Sequence, residues 1–207
     1  MNFGQLKMYI DGELFSSVNN ETKEIFSPLN DERIATLSWA NSLDSERALK
    51  SAEQGFDTWS KTPVKKRKEW MLILRDKILE KEEILRKSIS YEMGKPYNAT
   101  AEDVESITNS LKYYSDIIED YQKDKEIIDP DGTHSHHLVS KPIGVVVAYL
   151  AWNFPLLNAG FKLGPALASG CSIILKPSEL SQVSLYIIGE ILHEINFPRG
   201  VVNILCG

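Results

Sequence analysis

Two polar segments follow apolar runs in the second half of the chain, and they hold the side chains best suited to chemistry. The run from Ile143 to Ala151 gives way to Trp152-Asn153-Phe154-Pro155, and the run from Ser172 to Lys176 gives way to Pro177-Ser178-Glu179. The amide of Asn153 is a neutral donor of the kind that stabilises a developing oxyanion when it is held in place beforehand. An asparagine ahead of a proline also has a purely conformational use in turns, and the residues alone leave both readings open. Lys176 and Glu179 carry charges that suit the phosphates and hydroxyls of a dinucleotide, the acid in the manner of a ribose-binding carboxylate. A solvated ion pair at a helix start is the competing account.

Other reactive side chains are less well placed. His134, His136 and His137 alternate as on a strand, but no cysteine or carboxylate stands beside them at metal-ligand spacing, so an exposed or interface strand is expected. Cys171 and Cys206 adjoin apolar runs with no basic neighbour to lower a thiol pKa, which favours structural thiols. Lys65-Lys66-Arg67-Lys68 is expected to form the wet face of a helix.

The elements that must position these residues can be read from periodicity. Ile143 to Ala151 is rich in β-branched residues, as in a strand covered on both faces. Leu156 to Ser169 has helix length and stops at Gly170; Ser172 to Lys176, Ser181 to Ile195 and Val201 to Leu205 then predict strand, helix and strand. This order implies parallel pairing with right-handed crossovers, the first half of a nucleotide-binding sheet whose last strand keeps an open edge. No G-x-G-x-x-G is present, since Gly160, Gly164 and Gly170 are too widely spaced.

The first 40 residues predict a small antiparallel opening with turns at Asp11-Gly12 and Ser27 to Asn30. Asp44 is the expected cap of a helix with Ala48, Ala52, Phe56 and Trp59 inward, and Thr62-Pro63 the expected start of another that buries Met71, Leu74 and Ile78. Further helix is expected through Leu85 and Ile89 to Gly94. Val104, Ile107, Leu111, Tyr114, Ile118 and Tyr121 recur at steps of three and four, predicting a helix of about five turns. Gln122 to Thr133 reads as a polar break. The division drawn from this pattern is 1–140, containing the helices and a strand region for oligomerisation, and 141–207, the sheet unit.

Composition narrows the partners. A net charge of −6 leaves no basic excess for nucleic acid or an anionic membrane, and no apolar run approaches the length of a membrane span. Two cysteines suit a reducing compartment, and the cytoplasm is the expected location.

The residues also carry a family resemblance. Lys141-Pro-Ile-Gly-Val-Val through Ala151-Trp-Asn-Phe-Pro, Lys162-Leu-Gly-Pro-Ala-Leu-Ala-Ser-Gly, Leu175-Lys-Pro-Ser-Glu and Phe197-Pro-Arg-Gly-Val-Val-Asn together resemble the aldehyde dehydrogenase superfamily, in order. Tyr9-Ile-Asp-Gly, Ser27-Pro-Leu-Asn and Glu92-Met-Gly-Lys-Pro are similar to its N-terminal sequence. The resemblance implies an α/β fold in which N-terminal helices precede the first βαβαβ half of a Rossmann-like parallel sheet. It further implies oxidation of a small aldehyde to a carboxylate with NAD, or NADP, by a homo-oligomer.

By position, Asn153 resembles the family's oxyanion-hole asparagine, and Trp152 shares the loop along which the nicotinamide half of the cofactor runs. Lys176 and Glu179 match residues that hold the adenosine ribose, with Pro177 and Ser178 shaping the turn. A glutamate there disfavours a ribose phosphate, hence NAD over NADP. Ala151 stands where the family usually has proline, and loss of that ring is expected to loosen the loop. In the family, a cysteine thiolate attacks the aldehyde and a glutamate activates the hydrolytic water. Both lie downstream of the Val-Val-Asn segment, so the catalytic domain is expected to be absent here and the chain inactive alone. The alternative is a non-catalytic, truncated nucleotide-binding or oligomerising module.

Overall fold

The computed structural model describes residues 1–207 and opens with five short strands: β1 (Gln5–Leu6), β2 (Met8–Ile10), β3 (Glu13–Phe15), β4 (Thr22–Phe26) and β5 (Arg33–Ser38). Asp11 and Gly12 both have positive φ, 54° and 79°, which matches the twist of a two-residue hairpin and joins β2 to β3 antiparallel. β5 pairs antiparallel with β4 and parallel with β1, so the opening is a mixed sheet, not a purely antiparallel one.

Helix α1 (Ser42–Trp59) has its N-cap at Asn41, three residues before the expected cap. Asn41 accepts the amides of Leu43 and Asp44 at 2.8 and 3.2 Å, while the Asp44 carboxylate accepts the Asn41 amide at 3.1 Å. Asp44 is thus the return arm of a capping box, not the cap. Pro63 is the N-cap of α2 (Val64–Glu80), outside the first turn, and the Thr62 hydroxyl donates back to Thr58 O instead of capping. Met71, Leu74 and Ile78 are buried as expected. Arg67 is not on a wet face: it is 3 % exposed and donates to the Gln122 side chain, whose amide nitrogen donates to Ala168 O at 3.1 Å.

Helix α3 (Glu82–Met93) stops at Gly94, which takes the left-handed conformation (φ 73°) that glycine adopts without strain. A 3₁₀ turn, Tyr97–Thr100, leads into α4 (Ala101–Tyr121), which buries Val104, Ile107, Leu111 and Ile118. The stretch expected to be a break contains β6 (Lys125–Ile128), paired antiparallel with β7 (Ser135–Leu138) in a hairpin exposed along its whole length.

The remaining elements alternate as expected: β8 (Val145–Tyr149), α5 (Pro155–Ser169), β9 (Ser172–Lys176), α6 (Val183–Glu194) and β10 (Val202–Ile204). β8, β9 and β10 are parallel neighbours. Two expectations about this sheet fail. The edge of β10 is not open, because β2 joins it antiparallel and the order is β3-β2-β10-β9-β8. β8 is not covered on both faces: it is the edge strand, with Ala148 buried but Val147 and Tyr149 exposed.

One contiguous core draws Leu6, Ala48, Leu111, Ile173 and Ile204 from every part of the chain. Ser172 Oγ donates to Ala52 O on α1 at 2.7 Å, so the alternating partners Ile174 and Lys176 also face that side. α4 and α5 meet at Gly160, where a Cβ would lie 2.7 Å from Ile107 Cα, and Ser110 Oγ donates to Gly160 O at 2.6 Å. The Val-Val-Asn segment closes the opposite end. Asn203 accepts from the Asp11 amide at 3.0 Å and from Ser51 Oγ at 2.9 Å.

Candidate active site

Tyr149 and Lys176 are the last paired residues of β8 and β9, and the Leu150 amide donates to Lys176 O at 3.0 Å. The two polar turns therefore leave the sheet side by side, at the carboxyl edge where open parallel sheets bind ligands. Ala151, Trp152 and Asn153 are all exposed, Trp152 by 53 %, and none of the three hydrogen-bonds to the rest of the chain. Phe154 is the N-cap of α5 and Pro155 its first residue, where the missing amide hydrogen leaves no partner unsatisfied. Asn158 donates to Phe154 O through both its backbone and its side-chain nitrogen, each at 2.9 Å.

The second turn is tied from inside. Pro177 is buried, the Leu180 amide donates to Ser178 Oγ at 3.3 Å, and the Ser181 amide donates to Ser178 O at 3.1 Å. Glu179 projects into solvent; its own backbone amide, with Lys176 adding a smaller effect, holds its carboxyl below the usual range. Gln182 Nε2 donates to Glu179 O at 2.6 Å. Below them lies Glu92 of α3, buried, accepting the amides of Gln182 (2.6 Å) and Val183 (2.9 and 3.0 Å to its two oxygens) at the start of α6. Burial pushes its carboxyl up to about 8, against the lowering effect of those amides.

A groove of about 440 Å³ runs between the start of α1 and the sheet, lined by Asn41, Ser45, Val147, Tyr149, Lys176 and Leu205 among others. Of the candidate residues only Lys176 lines it; Trp152, Asn153 and Glu179 stand outside. A crevice of equal volume among Tyr113, Tyr121, Lys141 and Pro165 lies by the second half of α5, away from both turns.

Cys171 and Cys206 are buried and unbridged. Burial pushes the Cys206 thiol up to about 12, so it is no thiolate nucleophile. The three histidines sit on the exposed hairpin, where His136 Nε2 lies 3.0 Å from Asp129, and nowhere do three or more His, Cys, Asp or Glu gather to hold a metal ion. Sequence reasoning missed the charges packed beneath the site: the buried Glu92 and Asp103, and the partly buried Lys95. Their signal was present, since Asp103 adjoins Val104 on the inward stripe of α4 and Glu92 and Lys95 sit within one of the family motifs.

The model of the aldehyde dehydrogenase family matches residues 15–207. Aminoaldehyde dehydrogenase 2 of Solanum lycopersicum is 33 % identical over 205 residues, covering 97 % of this chain and 41 % of that protein. Chloroplastic betaine aldehyde dehydrogenase of Amaranthus hypochondriacus is also 33 % identical, over 97 % of the chain and 42 % of its own length. Among solved structures, betaine aldehyde dehydrogenase of Staphylococcus aureus in complex with NAD+ superposes with a TM-score of 0.90 at 34 % identity, over 98 % of this chain and 40 % of that one. A 3,6-anhydro-L-galactose dehydrogenase in complex with NADP gives 0.90 at 31 % identity, over 98 % and 42 %. The chain spans about two-fifths of the length of these relatives, and no helix is long and apolar enough to cross a membrane. Over nearly its whole length, in motif order and in backbone, this chain belongs to the aldehyde dehydrogenase family.

Proposed function

We propose that the chain is the N-terminal part of an enzyme that oxidises a small aldehyde to a carboxylate with NAD, and that it supplies much of the cofactor grip and one oxyanion donor. The observation that carries this is the adjacency of the two turns: β8 and β9 deliver Trp152-Asn153 and Lys176 to Glu179 to one sheet edge. Lys176, at the mouth of the groove, and the ionised Glu179 suit the two hydroxyls of a ribose, with Pro177 and Ser178 holding the bend between them. Ala151 and Trp152, exposed in the same loop, would contact the cofactor's other half. NAD, when bound, supplies the hydride acceptor. The Asn153 side-chain amide, free of any partner within the chain, donates to the aldehyde oxygen as negative charge builds on it.

In this reading, the nucleophile comes from sequence outside residues 1–207, because both cysteines here are buried and unbridged. The exposed β6–β7 hairpin, with Ile127, Ile128, Leu138 and Val139 turned to solvent, is the surface through which copies of the complete protein associate. A cytoplasmic location suits the two unpaired cysteines and is checked by cell fractionation.

Calorimetric titration of the 207-residue chain with NAD tests the cofactor assignment. Saturable binding is expected, weakened about tenfold or more by Lys176→Ala, as for a hydrogen bond to a charged group. Binding absent, or indifferent to Lys176 and Glu179, would overturn it. No aldehyde-dependent NADH is expected from the chain alone, and in the complete enzyme Asn153→Ala is expected to lower kcat about 10²–10³-fold.

A further inference from the structure

We propose that Lys95 and the buried Asp103 form a positioning pair that fixes the Asn153 loop by holding the first turn of α5. Only the functional meaning of the pair rests on the reading of Asn153 as oxyanion donor; the pair itself is a statement about geometry. Residues 151–153 make no hydrogen bond within the chain, so their course is set by their flanks. On one side Leu150 is bonded to Lys176. On the other side, α5 begins with no side-chain cap and no acidic residue in its first turn. Pro155 has no amide hydrogen, and the Asn158 amide goes to Phe154 O, which leaves the amides of Leu156 and Leu157 without a backbone acceptor.

Asp103, reaching over from the first turn of α4 and fully buried, meets that need. Its Oδ2 lies 2.6 Å from Lys95 Nζ. Its Oδ1 has no hydrogen-bond partner within the chain. Burial holds its carboxyl above the usual range, opposed first by Lys95 and more weakly by the Leu157 and Leu156 amides. A negative charge at that place also complements the positive end of the α5 dipole. Lys95 completes the arrangement from the other side, with Nζ 3.8 Å from the centre of the Phe154 ring. The pair therefore touches residue 154, immediately after Asn153, and sets the Asp103 carboxyl beside the first turn of α5.

Stability alone is a poor reason to keep such a pair, since desolvating two charges offsets most of their attraction, and an apolar pair of similar volume often serves as well. Fixing one geometry is a better one.

The test is NMR on the isotopically labelled full chain, comparing wild type with Asp103→Asn, Lys95→Met and Lys95→Arg. Hydrogen exchange at Leu156 and Leu157 is expected to speed up about two- to fivefold in Asp103→Asn, as for loss of a negative charge at the start of a helix, while Ile173 and Ile188 in the core keep their protection. The Asn153 side-chain amide is expected to gain fast motion in Asp103→Asn and Lys95→Met, and to regain wild-type order in Lys95→Arg. Unchanged order at Asn153, or loss of protection spread evenly through the core in both Asp103→Asn and Lys95→Met, would overturn the proposal. These readouts need no aldehyde and no turnover, so failure of the oxyanion assignment would show separately, in the kcat of Asn153→Ala.

Discussion

The carboxylate of Glu92, on α3, accepts the backbone amide of Gln182 at 2.6 Å across a separation of 90 residues, and so seats the helix that begins where the Lys176–Glu179 turn ends. The first amides of that helix are capped by a side chain of this chain, not left open for a phosphate.

A pH dependence follows from that seat. Burial raises the folded-state pKa of Glu92 from 4.5 to about 8. Folding then takes up a proton between those values, so the contribution of this group is full below about pH 4.5 and is lost as pH rises through about 8. The melting temperature of the chain is expected to fall from pH 5 to pH 8, with Glu92 contributing on the order of 3 kcal/mol of that change. Glu92→Gln, which accepts but does not titrate, should flatten the slope when melts are recorded by circular dichroism across this range. A slope identical in wild type and variant would refute the assignment.

The α4–α5 interface has no room at Gly160, where a methyl group would sit 2.7 Å from backbone Ile107 Cα. Gly160→Ala is expected to destabilise the chain by about 1–3 kcal/mol in urea unfolding, because the neighbour is backbone and cannot turn aside. An effect near zero would mean that the two helices slide easily.

Asn203 serves three segments: it accepts from Asp11 and Ser51 and donates to Gly200 O at 2.9 Å. Asn203→Leu leaves those groups without a partner in a buried place, with an expected loss of about 2–4 kcal/mol by chemical denaturation. Asn203→Asp, which retains the acceptor but not the donor, should lose the bond to Gly200 O.

Glu179 presents an ionised carboxylate to solvent beside Lys176. Glu179→Ala should raise the affinity for NADP relative to NAD in paired titrations, since the carboxylate repels a ribose phosphate. A preference that does not move would assign cofactor choice to other residues.

Thiol reactivity gives a simple check on the cysteines. With both buried and the Cys206 thiol raised to about 12, the folded chain is expected to resist iodoacetamide at pH 8 and to take up two equivalents only when denatured. Rapid labelling of Cys206 in the folded chain would contradict its burial.

What could be read from the sequence and what could not divide along physical lines. β9 and α4 are legible because a short β-branched run between glycine and proline, and an apolar step of three and four, depend only on local pattern. The cap of α1 was misplaced because Asn41 and Asp44 share the work and either could begin a helix. β6 escaped notice because its apolar residues face solvent, so no burial pattern marks it. The pairing of β2 with β10 was invisible, since nothing near Tyr9 announces a partner so far along the chain. At the site, the residues of the two turns are legible from their motif spacing, whereas the roles of Glu92, Lys95 and Asp103 are not, because charged residues in and just after helices ordinarily face solvent and only the packing shows Glu92 and Asp103 buried.

The Tyr9–Ile204 pairing also governs the order of events on the ribosome. At roughly 5–20 residues per second, β2 is made on the order of 10–40 s before the strand it will lie against. Until then, the apolar Met8-Tyr9-Ile10 strand, buried in the finished molecule, must wait exposed or shielded by a chaperone. Synthesis from one end therefore cannot complete this sheet from that end, and a nascent chain halted before β10 has its first strand pair formed but nowhere to dock.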